Sequence, residues 1–294
     1  MKKRGQKKPG YYLEGHMLPC VRNLRPMFGS HDAAIQANQI VLTYFENENR
    51  DAVNTKLLEL AEEFKISPGN SDFLFVKKAI AEMYLTSTYT LVDRFLKDFA
   101  ADCIRYKQIE WKHQNGDGDN LDPLSQILYN LSAKQRSQIK QYPEYWLIDY
   151  YRHIRNHIIH PNPQNLSRLA KKHQELLDLY EFHWLNVYKI TPNNYEGISY
   201  EDYFIYTRAF KYFVNVLSNT VGLTTDEIVV AAKNNAALQK RLRSCEQISN
   251  HAIRIQRITA LRSFYRAFFS YGTSRQLENS FIDEYAKVDR VSWN

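Results

Sequence analysis

The sequence contains little cysteine, and its cysteines form no recognisable motif. Cys20, Cys103 and Cys245 are far apart and odd in number, and none belongs to a Cys-x-x-Cys pair. This pattern argues against a disulfide framework and suits a protein that is kept in a reducing cytosol. We therefore expect the protein to be cytoplasmic.

Long apolar runs and nucleotide-binding loops are also missing. No stretch reaches 18 consecutive apolar residues, so we expect no membrane span, and the basic N-terminus is not followed by the apolar run of a signal peptide. The chain has no alternating strand pattern of useful length, no internal repeat, no G-x-G-x-x-G sequence and no P-loop. An all-α protein is the expectation that remains.

Positive charge and tyrosine are what the sequence has in excess. The formal net charge is +7, and 21 of the 294 residues are tyrosine. A basic balance favours an anionic partner such as nucleic acid, and tyrosine suits wet interfaces and base stacking. Part of the charge belongs to the run that begins Lys2-Lys3-Arg4, and such a run is more often a solvated tail. For any single tyrosine, packing between helices is the commoner role.

Apolar periodicity, capping residues and prolines predict helices along most of the chain. The first starts near residue 33, and others cover about 51–64, 72–106, 123–129, 133–141, 143–160, 166–188, 199–218, 224 onward, 244–270 and 275–288. The predicted fold class is all-α, a helical bundle with an additional C-terminal helical region. We divide the chain into an extended basic arm (1–30), a helical domain (31–190) and a C-terminal helical extension (191–294).

One segment, Arg152 to Pro161, concentrates the side chains that could carry chemistry. It places five cationic or titratable side chains within nine residues, at the end of a helix that Pro143 opens and Pro161 stops. Within it, Arg155 and Asn156 are followed after three residues by His160. This Arg-Asn-x-x-x-His pattern is the most informative feature of the sequence.

A straight helix would keep Arg155 and His160 apart. At 100° per residue they lie about 140° apart around the axis and about 7.5 Å apart along it. The same spacing predicts a core-facing stripe of Leu147, Tyr150, Tyr151, Ile154 and Ile158. We therefore expect that the helix ends at His160, or that a second subunit completes the site.

Three interpretations of the segment compete. In the structural one, Arg155 pairs with a carboxylate and the histidines lie on a solvated face. In the metal one, His153, His157 and His160 form a triad of imidazole ligands, although no Asp or Glu stands in the row and neighbouring arginines would repel a cation. In the third, His160 is a general acid or base, Arg155 binds a phosphate, and Asn156 fixes the geometry of either.

The Arg155-Asn156-x-x-x-His160 pattern resembles the Arg-x4–6-His motif of the HEPN superfamily, in which a polar residue often follows the arginine. The resemblance covers about residues 32–190 and includes the long predicted helix 72–106. It implies a HEPN-like helical bundle. The chain departs from the family pattern after the histidine, where Pro161-Asn162-Pro163 replaces the small residues that are often found there.

The resemblance implies a metal-independent endoribonuclease that needs no cofactor. Two protomers would form a homodimer, and the RNA 2′-hydroxyl would attack the adjacent phosphate to leave a 2′,3′-cyclic phosphate. Arg155, Asn156 and His160 would be catalytic, with Asp93, Arg152 and His157 as accessory residues. The biology expected from such relatives is a prokaryotic toxin or anti-phage defence role, with an antitoxin or defence-system protein as partner.

The C-terminal region contains a basic stretch that is rich in arginine and nearly free of acids. A solvated surface is the default interpretation, and an RNA-guiding or partner-binding surface is the alternative, for which Arg254, Arg257 and Arg262 are the RNA-binding candidates. At the level of the whole chain, the alternative to a ribonuclease is a non-catalytic helical module that binds RNA or protein.

Overall fold

The computed structural model describes residues 16–67, 69, 72–245, 250–269 and 275–288. Within these ranges it contains twelve α-helices and no strand, which confirms the all-α class. The helices are α1 (Pro19–Glu48), α2 (Val53–Glu63), α3 (Phe73–Lys107), α4 (Pro123–Asn130), α5 (Ala133–Lys140), α6 (Pro143–Ile159), α7 (Pro163–His183), α8 (Tyr200–Val221), α9 (Thr225–Lys233), α10 (Ala236–Ser244), α11 (Asn250–Phe268) and α12 (Arg275–Val288). Over the same residues, none of the helices combines the length and the apolar character that spanning a membrane requires.

The prediction of an extended arm is wrong for residues 19–30, which form the first turns of α1. Pro19 stands at the helix start, where a missing N–H costs nothing, and the Asp102 carboxylate accepts a hydrogen bond from the Cys20 N–H at 2.7 Å. Pro26 lies inside the helix, and Phe28 is buried two residues later. Packing therefore overrides the helix-breaking tendency of proline. The rest of the predicted arm, residues 1–15, lies outside the described residues.

The chain forms two compact units whose segments interleave along the sequence. The motif unit comprises Arg25–Arg94 and Lys140–Phe213 and contains the Arg155–His160 segment. The second unit takes its described residues from Met1–Leu24, Phe95–Ile139 and Val214–Asn294. The division predicted at residues 30 and 190 stays a prediction about domain organisation.

Helix α6 forms the centre of the motif unit. Four of its predicted core residues, Leu147, Tyr150, Tyr151 and Ile154, are at most 2% exposed, whereas Ile158 is half-buried. The Tyr151 ring lies 4.9 Å from the ring of Tyr206 on α8, and α6 also packs along α7. Burying this stripe fixes the direction of every other α6 side chain, including those of the motif.

The second unit is organised around aromatic residues of α11 and α12. The Tyr265 and Phe281 rings are stacked with their centroids 5.4 Å apart. The Tyr265 hydroxyl lies 2.6 Å from Nδ1 of His16, a residue that is 2% exposed, and Thr225 Oγ1 lies 3.1 Å from the other ring nitrogen. The chain segment before α1 is thereby attached to α9 and α11 within this unit.

Candidate active site

The end of α6 lies where the prolines predict it. Pro143 occupies the first helical turn, and His160 is the residue that ends the helix, with φ −128° and ψ 75°. The His160 N–H still donates to the Asn156 carbonyl oxygen at 2.9 Å. Asn162 then caps α7 by accepting from the Gln164 N–H at 2.9 Å. The His160 imidazole is therefore exposed at a helix terminus, between two helices of fixed direction.

Arg155 has no carboxylate partner within the described residues. Its guanidinium lies over the Tyr89 ring, with Cζ 5.1 Å from the ring centroid, and Nη1 donates to the neighbouring Asn156 Oδ1 at 3.1 Å. Nε is buried without a hydrogen-bond partner. The carboxylate that the structural interpretation pairs with Arg155 is thus not found among the described residues, and that interpretation stays open. The guanidinium is oriented by the Tyr89 ring and by Asn156, and no carboxylate of the described residues neutralises it.

Arg152, three residues before Arg155, does have a carboxylate partner. Its Nη2 and Nε donate to Asp149 Oδ1 at 2.6 and 3.1 Å, and Lys172 on α7 donates to Oδ2 at 2.8 Å. Burial alone would raise the pKa of Asp149, but the two cations outweigh it, so the pKa is lowered. Arg152 thus belongs to a partly buried ion-pair cluster, and its accessory catalytic role stays a prediction.

The three histidines of the predicted row have three different environments. His153 is half-buried, 3.6 Å from Asp149 Oδ2, and burial lowers its pKa to about 4. His157 is buried, with the Tyr195 ring packed edge-on against it at 4.7 Å, and its Nδ1 has no hydrogen-bond partner. His160 is exposed. In the part of the chain that the structure describes, no group of three or more His, Cys, Asp or Glu side chains could hold a metal ion.

Asp93, the accessory candidate on α3, lies one helical turn after Tyr89. Asp93 is half-buried. Burial is the main reason why the pKa of Tyr206 is raised, and the charges of Tyr89 and Asp93 raise it further. The positive charge of Arg152 lowers the same pKa. Asp93, Tyr89 and Arg152 therefore all lie near the buried Tyr206 ring. Tyr89 precedes Asp93 by four residues, so the two share one face of α3, but no signal in the sequence pairs Tyr89 with Arg155.

A buried carboxylate holds the loop that carries Tyr195. Asp202, at the start of α8, is fully buried and accepts hydrogen bonds from the Tyr151 hydroxyl (2.7 Å), from the backbone and side-chain nitrogens of Asn193 (2.9 and 2.8 Å) and from the Ser199 N–H (2.9 Å). The loop is thereby joined to the core of α6. Neither Asp202 nor Tyr195 was identified from the sequence as part of the site, because their contacts join distant segments.

The three arginines assigned to RNA binding do not share one exposed surface. All lie on α11 in the second unit, where Arg254 is exposed, Arg257 is 8% exposed, and Arg262 Nε lies 3.4 Å from Glu278 Oε1. Arg254 is therefore the one of these three that is fully open to an RNA phosphate. RNA binding by this group stays a prediction.

Comparison of the chain with protein-family models, with curated proteins and with solved structures finds no match. The resemblance of the motif to the HEPN superfamily thus stays a prediction from sequence.

Proposed function

We propose that the chain is a metal-independent endoribonuclease whose site is built on Arg155, Asn156 and His160. The observation that carries the proposal is the difference between the two arginines of α6. Arg152 is neutralised by Asp149, whereas the Arg155 guanidinium is held by Tyr89 and Asn156 with no carboxylate partner among the described residues. A half-buried, oriented and unneutralised guanidinium is suited to bind a phosphate through two parallel hydrogen bonds.

His160 supplies the proton transfer in this proposal. Imidazole is the side chain that exchanges protons near neutral pH, and His160 is exposed at the helix end. A base removes the proton from the 2′-hydroxyl, the 2′-oxygen attacks phosphorus, and the bond from phosphorus to the 5′-oxygen breaks as an acid protonates that oxygen. Arg155 stabilises the charge that develops on the phosphate oxygens. The products are a 2′,3′-cyclic phosphate and a 5′-hydroxyl.

A second protomer completes the site. No hydrogen bond or ion pair joins the side chains of Arg155 and His160 in the described part of the chain, and ideal helical geometry turns them about 140° apart. Pairing two chains would bring His160 of one beside Arg155 of the other and would supply both an acid and a base. The cellular role is a prokaryotic toxin or anti-phage defence nuclease in the cytoplasm, regulated by a partner protein.

The decisive experiment is incubation of the purified protein with total RNA in EDTA. We expect cleavage by the wild type, and a loss of roughly 100-fold or more for Arg155→Ala and His160→Ala. Matched controls are Arg241→Ala and His113→Ala, which remove exposed residues of the same types outside the motif. Size-exclusion chromatography with light scattering tests the dimer.

Each contrary outcome has a definite meaning. Full activity in Arg155→Ala or His160→Ala would refute the assignment of these residues. Activity that EDTA abolishes and zinc restores would favour a metal site on the histidines. RNA binding without products in any condition would favour the non-catalytic binding module. The same module is favoured by the lack of a hydrogen bond or ion pair between the Arg155 and His160 side chains in the described part of the chain.

A further inference from the structure

A cleft of about 550 Å³ in the motif unit is lined by residues of α1, of the N-terminal half of α3 and of the segment that leads into α8. Three acidic residues, Asp72, Glu196 and Glu201, line it, and we name it the acidic cleft after them. All of its lining residues belong to the motif unit. Its volume lies within the range of small-ligand sites, which is about 300–1,000 Å³.

Negative charge is in excess in the acidic cleft, although the whole chain has a formal net charge of +7. Two lysines also line the cleft, but each has a carboxylate of its own. Lys77 donates to both carboxylate oxygens of Glu46 at 2.9 Å, and Lys78 Nζ lies 4.0 Å from Glu82 Oε1. The three acids that name the cleft are exposed and take part in no ion pair with the described residues. They would therefore attract a cationic ligand.

The carboxylates of the acidic cleft do not converge on one point. In the part of the chain that the structure describes, no group of three or more His, Cys, Asp or Glu side chains could hold a metal ion. Asp72 directly precedes α3, whereas Glu196 and Glu201 stand on either side of the first residue of α8. A ligand that satisfies all three acids must therefore carry its positive charges at separate points.

Apolar surface lies beside these carboxylates. Leu74 and Phe75, in the first turn of α3, both line the cleft and are 72% and 61% exposed. Leu42 of α1 and Tyr200 of α8 line it as well, and both are half-buried. A carbon chain packs favourably on such side chains, and an aromatic ring attracts a cation that lies over its face. The walls of the cleft thus suit a ligand that alternates charged groups with apolar carbon.

A buried hydroxyl at the acidic cleft has no partner. Tyr84 lines the cleft and is 6% exposed, and its hydroxyl makes no hydrogen bond within the described residues. Burial raises the pKa of Tyr84, and the nearby Tyr200, another lining residue, raises it further. A buried hydroxyl without a hydrogen bond is costly. An N–H donor that enters the cleft would remove this cost, because the neutral hydroxyl can accept from it.

We propose that the acidic cleft binds a linear polyamine, a ligand in which ammonium groups are joined by short methylene chains. The ammonium groups pair with the three carboxylates, and one of them also donates to the Tyr84 hydroxyl. The methylene chains pack on Leu74 and Phe75. This inference goes beyond the proposed ribonuclease function and does not depend on it, since the site uses neither Arg155 nor His160.

The test is isothermal titration calorimetry of the full-length protein with spermidine, in about 0.15 M salt so that diffuse attraction between charges is screened. We expect saturable binding. The double variant Glu196→Gln, Glu201→Gln should bind roughly 10-fold or more weakly, because it removes two charged acceptors. Tyr84→Phe should bind about 3-fold or more weakly, because it keeps the ring and removes only the hydroxyl.

The matched control is the double variant Glu62→Gln, Glu63→Gln. It removes the same two charges from exposed positions of α2, in the same unit, that do not line the cleft. It should bind spermidine as tightly as the wild type does. Magnesium chloride and the peptide hexalysine are titrated in parallel, and circular dichroism melting of each variant separates a loss of binding from a loss of folding.

Four outcomes would overturn the polyamine site. They are absence of spermidine binding by the wild type, unchanged affinity in the folded Glu196→Gln, Glu201→Gln variant, an equal loss in the α2 control, and binding of Mg²⁺ as tight as that of spermidine. Binding of hexalysine without binding of spermidine would also refute it, in favour of a basic segment of a partner protein. Because these titrations contain no RNA, their result is separate from the success or failure of the cleavage experiment.

Discussion

The guanidinium carbon of Arg155 lies 5.1 Å from the centroid of the Tyr89 ring, so a residue of α3 supports the central cation of the motif on α6. Tyr89 is 9% exposed, and a buried aromatic face strengthens its attraction for a cation. On the other side, Asn156 Oδ1 accepts from Arg155 Nη1. These two contacts fix the guanidinium without neutralising it.

If this contact orients Arg155, Tyr89→Leu should lower RNA cleavage about 3- to 30-fold, whereas Tyr89→Phe should retain nearly full activity, because the ring supplies the interaction. Single-turnover kinetics separate the rate of the chemical step from RNA binding. Tyr129→Leu, at a tyrosine that is 37% exposed on α4, is the control. Wild-type rates in Tyr89→Leu, alongside an inactive Arg155→Ala, would show that the ring does not orient the guanidinium.

Removing the Asp202 carboxylate should destabilise the protein. Asp202→Ala would leave the Tyr151 hydroxyl and the Asn193 and Ser199 nitrogens without their acceptor in a buried site, at a cost of about 3 kcal/mol or more. Urea denaturation measures the free energy of unfolding. Asp178→Ala, an exposed acid on α7, should change it by less than about 0.5 kcal/mol. Equal midpoints for the two variants would contradict the role of Asp202.

Because of His16, the free energy of unfolding should fall as the pH is lowered from 6.5 towards 4. Burial lowers its pKa in the folded state from 6.5 to about 4, so the folded protein favours the neutral ring. The stabilisation is complete above pH 6.5 and is lost as pH falls towards 4, because the unfolded chain takes up the proton first. His153, with a pKa lowered to about 4, adds to the same window.

His16→Gln should therefore flatten the pH dependence of the unfolding free energy. We expect the slope near pH 5 to fall by about 1.4 kcal/mol per pH unit, which is the effect of one proton. Urea midpoints measured between pH 4 and 7.5 give this slope. An unchanged slope in a folded His16→Gln variant would mean that His16 is protonated as easily in the folded chain as in the unfolded chain.

The start of α9 gives a prediction that is independent of the motif unit. The Thr224 hydroxyl accepts from the Glu227 N–H, and the Glu227 carboxylate accepts from the Thr224 N–H, which forms a complete capping box. Thr224→Ala should cost about 1 kcal/mol of stability. Thr259→Ala on α11 is the control, because its hydroxyl donates to the Ile255 carbonyl oxygen of its own helix and caps no helix start. A smaller loss of unfolding free energy in Thr224→Ala than in Thr259→Ala would contradict the capping role of Thr224.

Local signals in the sequence predicted α6 well and α1 poorly. Pro143 and Pro161 mark the limits of α6, and the 3.6-residue period identifies its buried stripe, since both effects act within one helix. The first turns of α1 depend on Asp102, a residue from a different helix. Proline and glycine near residues 19–30 therefore suggested irregular structure, and long-range packing decided otherwise.

In the candidate site, too, contacts within one helix could be predicted from the sequence and contacts between segments could not. The ion pair between Asp149 and Arg152 joins residues three apart on one helix and could have been inferred from their spacing. The partners of Arg155 and His157, Tyr89 and Tyr195, come from other segments of the chain. Helical periodicity shows which face of α6 a residue occupies, but it does not show which helix or loop covers that face.

The pairing of Asp149 with Arg152 has a consequence for how this helix could change during evolution. The number of available cations on α6 is set by its carboxylates as much as by its arginines. A single substitution at Asp149 would remove the carboxylate that Arg152 and Lys172 share, so the net positive charge of this surface would rise by one without the addition of a basic residue. The Asp149 carboxylate therefore limits the positive charge of this surface.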